Sequence, residues 1–359
     1  MSFRDNLRKT QPYVPGEQPR STKVIKLNTN ESPYPPSPGA AKALKDLDAS
    51  RLRLYPPTDG GELTAAIAEY YGVEPCEVFV GVGSDDVLAV AFQTFFCSGR
   101  PVIFPDITYS FYDVWASLYG VPFKRIPLDE DFRIRKEDYY GDADGCVGAG
   151  NGGVILANPN APTSIAESLS SIEDIAKHNP DSVVVIDEAY IDFGGESALP
   201  LLKKYENLVI VRTFSKSRQA AGLRVGFAIA GRELIDAMNA VKFSINSYTM
   251  SYPVIAVGKA LIEDDEYFKS TVGKTVKTRE RIVGELEKIG FSVLPSSANF
   301  VFASHERVPA KEIFEKLRAR DIYVRYFDKP RIDDHLRITI GTDEQMDVLI
   351  EELKKIVGR

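Results

Sequence analysis

Short runs of β-branched and aliphatic residues at 78–82, 102–104, 154–157, 183–186 and 208–211 recur along the chain between amphipathic segments. Runs that are apolar at successive positions, rather than at every second one, belong to strands buried on both faces. Helix-period stretches at 62–71, 84–96, 109–118 and 172–178 lie between them and supply the covering layers. The alternation predicts an α/β protein, with a mostly parallel, doubly wound sheet between helices. A further strand is expected at 225–230. After Pro253 the texture changes to a long charged helix at 263–289, strands at 300–303 and 336–340, and helices at 310–320 and 343–357. These read as a smaller α+β domain. Pro12, Pro15, Pro19, Pro33, Pro35, Pro36 and Pro38 give the start of the chain the character of an extended arm. The predicted organisation is an arm over 1–30 that joins the small domain, a large domain over 31–250 and a small domain over 251–359, with a Gly-rich loop at 141–153.

Composition narrows the function. With 44 Lys+Arg against 51 Asp+Glu, the net charge of −7 gives no electrostatic basis for a nucleic-acid partner. Cys76, Cys97 and Cys146 form no close pair, and His178, His305 and His335 lack metal-ligand spacing, so no metal is expected. The polar first twenty residues do not read as a signal peptide, and no apolar run approaches bilayer length. No membrane partner and a cytoplasmic location are the expectations.

Four stretches carry candidate chemistry. RTFSKSRQAAGLRVGF (212–227) places Thr213, Ser215 and Lys216 just past an apolar strand, with Arg224 following. That arrangement suits a Schiff-base lysine beside a phosphate held by hydroxyls and a guanidinium, but on its own the stretch is more commonly a solvated loop lysine. VVVIDEAYIDF (183–193) ends a buried strand on Asp187, where open α/β sheets gather ligand contacts. A buried carboxylate needs a cation, and a pyridinium nitrogen would serve; a helix cap or an arginine partner would fit as well. GVGSDD (81–86) opens a helix whose first amides at Ser84 and Asp85 face an anion, though its spacing does not match a dinucleotide fingerprint. ANPNAPTS (157–164) makes a rigid turn past a strand end, where an amide side chain can reach a ligand.

Taken with KLNTNESPYPPSP (26–38), RLYPP (53–57), PDITYSFY (105–112), SANFVFA (297–303) and HLRITIG (335–341), these stretches run in an order that resembles the fold-type I aminotransferases dependent on pyridoxal 5'-phosphate (PLP). Within them the sequence is similar to the histidinol-phosphate aminotransferase family. The resemblance implies PLP as cofactor and Lys216 as the lysine of the internal aldimine and proton shuttle. It implies Asp187 as the partner of the pyridine nitrogen, Tyr190 as the phenol on the cofactor's 3′-oxygen and Tyr109 as the stacked aromatic. Ser84, Asp85, Thr213, Ser215 and Arg224 fall on the phosphate cup. Tyr55 falls on a tyrosine lent by the neighbouring subunit, which implies a homodimer with shared sites. Arg337 matches the arginine that clamps a substrate carboxylate, and Tyr13, Asn30 and Arg325 lie at positions that contact substrate. The partners implied are an amino donor and a 2-oxo acid, with transamination between L-histidinol phosphate and 2-oxoglutarate as the expected reaction.

The sequence departs from the family pattern at Ala161, where the asparagine that bonds the 3′-oxygen usually stands; Asn160 is expected to take its place. Ser164 replaces a glycine, and Ser217, Arg218 and Gln219 make the segment after the lysine unusually polar. The competing readings are an aromatic-amino-acid aminotransferase, a threonine-phosphate decarboxylase-like enzyme and a non-catalytic α/β binding protein. The last has no need of a lysine such as Lys216.

Overall fold

The apolar runs assemble side by side into one seven-stranded sheet. The computed structural model describes residues 2–19, 21, 23–141 and 150–358, so most of the Gly-rich stretch expected as a loop, and Cys146 with it, lies outside the described residues. The chain begins with β1 (Ile25–Lys26), α1 (Pro38–Lys45) and α2 (Glu62–Tyr71). It continues through β2 (Val78–Gly81), α3 (Ser84–Phe95), β3 (Val102–Pro105), α4 (Phe111–Tyr119) and β4 (Phe123–Ile126). Then follow β5 (Gly153–Ala157), α5 (Leu169–Lys177), β6 (Val184–Asp187), β7 (Leu208–Thr213) and β8 (Gly226–Ala230). Helices α6 (Arg232–Ile245), α7 (Tyr252–Glu263) and α8 (Asp265–Lys288) lead to β9 (Phe291–Val293) and β10 (Phe300–His305). The chain ends with α9 (Ala310–Arg318), β11 (Ile322–Tyr323), β12 (Arg325–Tyr326), β13 (His335–Thr339) and α10 (Asp343–Val357).

The large sheet has the order β2-β8-β7-β6-β5-β3-β4. Its pairs from β7 to β4 are parallel, and β8 runs antiparallel between β2 and β7. Alternate side chains serve opposite faces. Val185, Val209 and Val211 pack with Phe92, Tyr112 and Trp115, whereas Val184, Ile186, Leu208 and Ile210 pack with Ile172 and Ile175 of α5. Pairing of Ala157 with Asp187, and of Asp187 with Val211, aligns the carboxyl ends of β5, β6 and β7 in one row. The turns that leave those ends therefore converge on one crevice.

The small sheet, β12-β13-β10-β9, is antiparallel, and β1 pairs in parallel with β11 beside it. Leu27 from the start of the chain shares a core with Leu286, Val301, Ile322, Leu336 and Leu353.

Of the elements the sequence did not reveal, three have a clear physical cause. Pro38 does not keep its segment extended: it occupies the first turn of α1, where a missing N–H costs nothing, and Ser37 caps the helix through the Ala40 amide. Pro253 likewise sits in the first turn of α7, and that helix shares a cluster with residues of α2, β2 and β8, beyond the boundary expected at residue 250. Strand β4 carries exposed Lys124 and Arg125 on the sheet edge, and that charge hid its strand character.

Candidate active site

Asp187 ends β6 at the floor of the crevice and is buried. The Tyr112 hydroxyl donates to its Oδ2 at 3.1 Å and the Ala189 amide to its Oδ1 at 3.2 Å. Burial pushes its carboxyl up to about 7, against the pull of these two hydrogen bonds, and among the described residues no cation pairs with it. Lys216 enters the same crevice from the turn after β7. Its Nζ donates to the Thr29 carbonyl at 3.2 Å and lies 5.8 Å from the centre of the Tyr190 ring. The Tyr190 hydroxyl accepts from Asn30 Nδ2 at 3.0 Å, and Asn30 is in turn fixed by Thr339 through its amide N–H and its Oδ1.

One end of the crevice forms a cup for an anion. Helix α3 starts at Ser84, so the first-turn amides of Ser84 and Asp85 have no partner within the helix. Thr213 donates its hydroxyl to Ser215 Oγ at 3.0 Å, and Arg224 Nη1 reaches Ser215 Oγ at 3.3 Å. Arg224 holds a left-handed φ of +59°, a strained setting for a non-glycine residue that aims its guanidinium inward. Its Nη2 donates to Asp85 Oδ2 at 3.2 Å, and the Tyr109 hydroxyl donates to Asp85 Oδ1 at 2.8 Å. The Asp85 carboxylate is thus occupied by protein donors, and only its backbone amide faces the cup. Two glycines make the close approach possible. A Cβ on Gly226 would meet the Ser84 nitrogen at 2.3 Å, and one on Gly83 would meet Arg224 Nη2 at 2.3 Å.

The other end is cationic. Arg325 and Arg337 face each other as direct partners across β12 and β13, and among the described residues neither has a carboxylate partner. Arg337 does not pair with Asp333. It donates Nη2 to the Asn28 carbonyl at 2.9 Å, and its Nε is buried with no partner. Burial lowers its pKa from the ordinary arginine value, and Arg325 beside it adds to that shift. Asn28 Oδ1 and Thr29 Oγ1 are also buried and unbonded at this wall. Tyr13 stacks on Phe111 with ring centres 4.1 Å apart, so the arm crosses over the opening.

Of the residues singled out from sequence, Lys216, Asp187, Tyr190, Ser84, Asp85, Tyr109, Thr213, Ser215, Arg224, Tyr13, Asn30, Arg325 and Arg337 line this one crevice. Two do not. Asn160 lies outside it, with its amide engaged elsewhere: Nδ2 donates to the Ile107 carbonyl and Thr163 Oγ1, and Oδ1 accepts from Thr108. Ala161 and Pro162 line the crevice in its place. Tyr55 lies outside this crevice, is 81% exposed, and stacks on Tyr248. Sequence reasoning missed Tyr112, which lies in the first turn of α4, three residues after Tyr109, and meets the Tyr109 ring edge-on at 5.8 Å. It also missed Arg212, which donates to Glu188, Asp192, Ser197 and Tyr71 behind the floor.

Comparison with known proteins gives this geometry a class. The chain belongs to the aminotransferase class I and II family, whose model matches residues 22–353. Its relatives narrow the class further. It is 49% identical over 356 residues to a histidinol-phosphate aminotransferase of Clostridium beijerinckii, covering 99% of this chain and 97% of that one. It is 54% identical over 346 residues to one from Aromatoleum aromaticum, covering 96% of each. In three dimensions it matches the crystal structure of the Sinorhizobium meliloti histidinol-phosphate aminotransferase in complex with pyridoxal-5'-phosphate. The TM-score is 0.83 at 24% identity, over 93% of this chain and 91% of that one.

Proposed function

We propose that this chain is a PLP-dependent transaminase that exchanges the amino group between L-histidinol phosphate and 2-oxoglutarate, giving imidazole acetol phosphate and glutamate in histidine biosynthesis. The observation that carries the reading is the pairing, in one crevice, of the Lys216 amine with a buried Asp187 carboxylate that no cation among the described residues neutralises. A protonated ring nitrogen is the missing cation, and the cup of α3 amides, Thr213, Ser215 and Arg224 has the donors a phosphate ester needs.

When bound, PLP supplies an electron sink for the carbanion at the substrate's Cα. The chain supplies the rest. Asp187, oriented by Tyr112 and the Ala189 amide, keeps a proton on the ring nitrogen. Tyr109 presents its ring, and Tyr190, steadied by Asn30, presents its hydroxyl where Ala161 offers nothing. Lys216 Nζ moves the proton to and from Cα, and the Tyr13 arm restricts water. Arg325 and Arg337 recognise the substrates. Two like charges directly opposite across a strand pair repel, and an anion between them relieves that repulsion. A phosphate ester and a dicarboxylate each bring such an anion.

The active form is a homodimer. Lys242 Nζ bonds the carbonyls of Thr58 and Val80, drawing together an exposed apolar strip of Leu52, Leu54, Tyr55, Val82, Phe243 and Tyr248. A second copy covers this strip and receives Tyr55 at its own phosphate cup. The exposed thiols of Cys76 and Cys97 support a reducing, cytoplasmic setting.

Borohydride treatment of the PLP-loaded protein, followed by peptide mass analysis, should place the cofactor on Lys216. In single-turnover measurements, histidinol phosphate should outpace histidinol, phenylalanine, tyrosine and threonine phosphate. Preference for an unphosphorylated aromatic donor would replace the proposed substrate, and release of carbon dioxide from threonine phosphate would replace the reaction.

A further inference from the structure

The hairpin that carries Arg325 and Arg337 is fastened at its tip. Between β12 and β13 the chain passes through Arg331, whose φ of +70° lies in the left-handed region. Its side chain leaves the small sheet and reaches the loops of the large one. Nη1 donates to Asp106 Oδ2 at 3.3 Å, and Nη2 donates to the carbonyls of Leu128 at 3.0 Å and Asp129 at 2.6 Å. The other oxygen of Asp106 accepts from the Leu128 amide at 3.0 Å, so one carboxylate organises both receiving loops. The next residue, Ile332, is buried in a cluster with Ile107 and Leu128 of the large sheet's loops and Phe302 of β10. Asp106 and Ile107 lead directly into Thr108 and Tyr109, which line the crevice.

We infer that Arg331 and Asp106 form a clasp that sets how far Arg325 and Arg337 stand from the floor of the crevice, making Arg331 a positioning residue for both substrates. The geometry is that of a fastening rather than of a turn support. All three acceptors belong to loops of the large sheet, whereas Ile332 already fills the apolar contact. Arg331 remains 38% exposed, so its bonds break and re-form in contact with water. A planar guanidinium serves three divergent acceptors at once, which an ammonium cannot do.

The inference rests on the transaminase reading for its kinetics but not for its mechanics, and the test separates the two. In the PLP-loaded enzyme, Arg331→Ala should raise KM for histidinol phosphate and for 2-oxoglutarate together, by about three- to tenfold, with a smaller change in kcat. The cofactor absorbance should not move, and hydrogen exchange should accelerate at 128–130 and 328–335. Arg331→Lys should recover part of the loss, and Asp106→Asn should reproduce part of it. Faster exchange with unchanged KM values would reduce Arg331 to a structural support and overturn the inference, as would unchanged exchange. If the unaltered enzyme turns over no donor, the transaminase reading fails. The clasp is then judged by calorimetric titration with 2-oxoglutarate, where equal affinity in Arg331→Ala and the unaltered protein overturns it.

Discussion

Tyr112 donates its hydroxyl to Asp187 in a setting where both groups are buried. With its carboxyl at about 7 against an ordinary 3.8, Asp187 binds a proton more tightly in the folded chain than in the unfolded one. Its contribution to stability is therefore full below pH 4 and is lost as the pH rises to about 7, because the folded state must then hold a bare buried charge. Between pH 5 and 8 the cofactor-stripped protein should lose on the order of 3 kcal/mol through this group. Asp187→Asn should therefore raise the melting temperature of the stripped protein at pH 8 more than at pH 5, while weakening the stabilisation conferred by added PLP. Equal melting shifts at the two pH values would refute the assignment. Tyr112→Phe removes a bond that favours the charged form and should make the stripped protein still more sensitive to rising pH.

Lys216→Ala should cost at least about a thousandfold in transamination, since both the covalent attachment and the mobile proton depend on one amine. The fold should survive, because among the described residues the Lys216 side chain makes a single hydrogen bond, to the Thr29 carbonyl. The check is single-turnover kinetics alongside circular dichroism. Substantial activity without an added amine would remove Lys216 from its role.

Arg337→Lys should impair both half-reactions, because the ammonium loses the planar fork and cannot reproduce the geometry set by Asn28 and the buried Nε. Arg325→Ala and Tyr13→Phe should weaken histidinol phosphate more than an unphosphorylated aromatic donor. Separate rates for the two half-reactions decide this. Equal losses on both donors would take the phosphate role away from Arg325 and Tyr13.

Mixing inactive Tyr55→Ala with inactive Lys216→Ala should restore part of the activity, because a hybrid pair contains one site with both residues intact. Sedimentation should show a dimer before and after mixing. No recovery despite proven subunit exchange would confine Tyr55 to its own surface, stacked on Tyr248.

Much of this arrangement was legible because it follows from local pattern. The runs ending at Ala157 and Asp187 and the one leading to Thr213 announce their strands by continuous β-branched character, and the chemistry sits one or two residues past their ends. What escaped depends on partners distant in sequence. Nothing near Asn160 says that its amide will be consumed by Ile107 and Thr108, more than 50 residues away. Proline misled twice, at Pro38 and Pro253, because its effect depends on whether it falls in the first turn of a helix or inside it. The cross-strand opposition of Arg325 and Arg337 could not be foreseen either, since β12 is only two residues long.

The parallel pairing of β1 with β11 has a consequence for the order in which the molecule is made. During synthesis from the amino end, Ile25 and Lys26 emerge early and wait for Ile322 and Tyr323, while the strands of the large sheet already have their neighbours. Asn28 and Asn30 wait longer still, for Arg337 and Thr339, each 309 residues downstream. A ribosome-bound chain can therefore complete the floor of the crevice and its anion cup while the arm hangs free and open to proteases. The cationic wall closes only once Arg325 and Arg337 have emerged, so catalytic competence comes after the floor is complete.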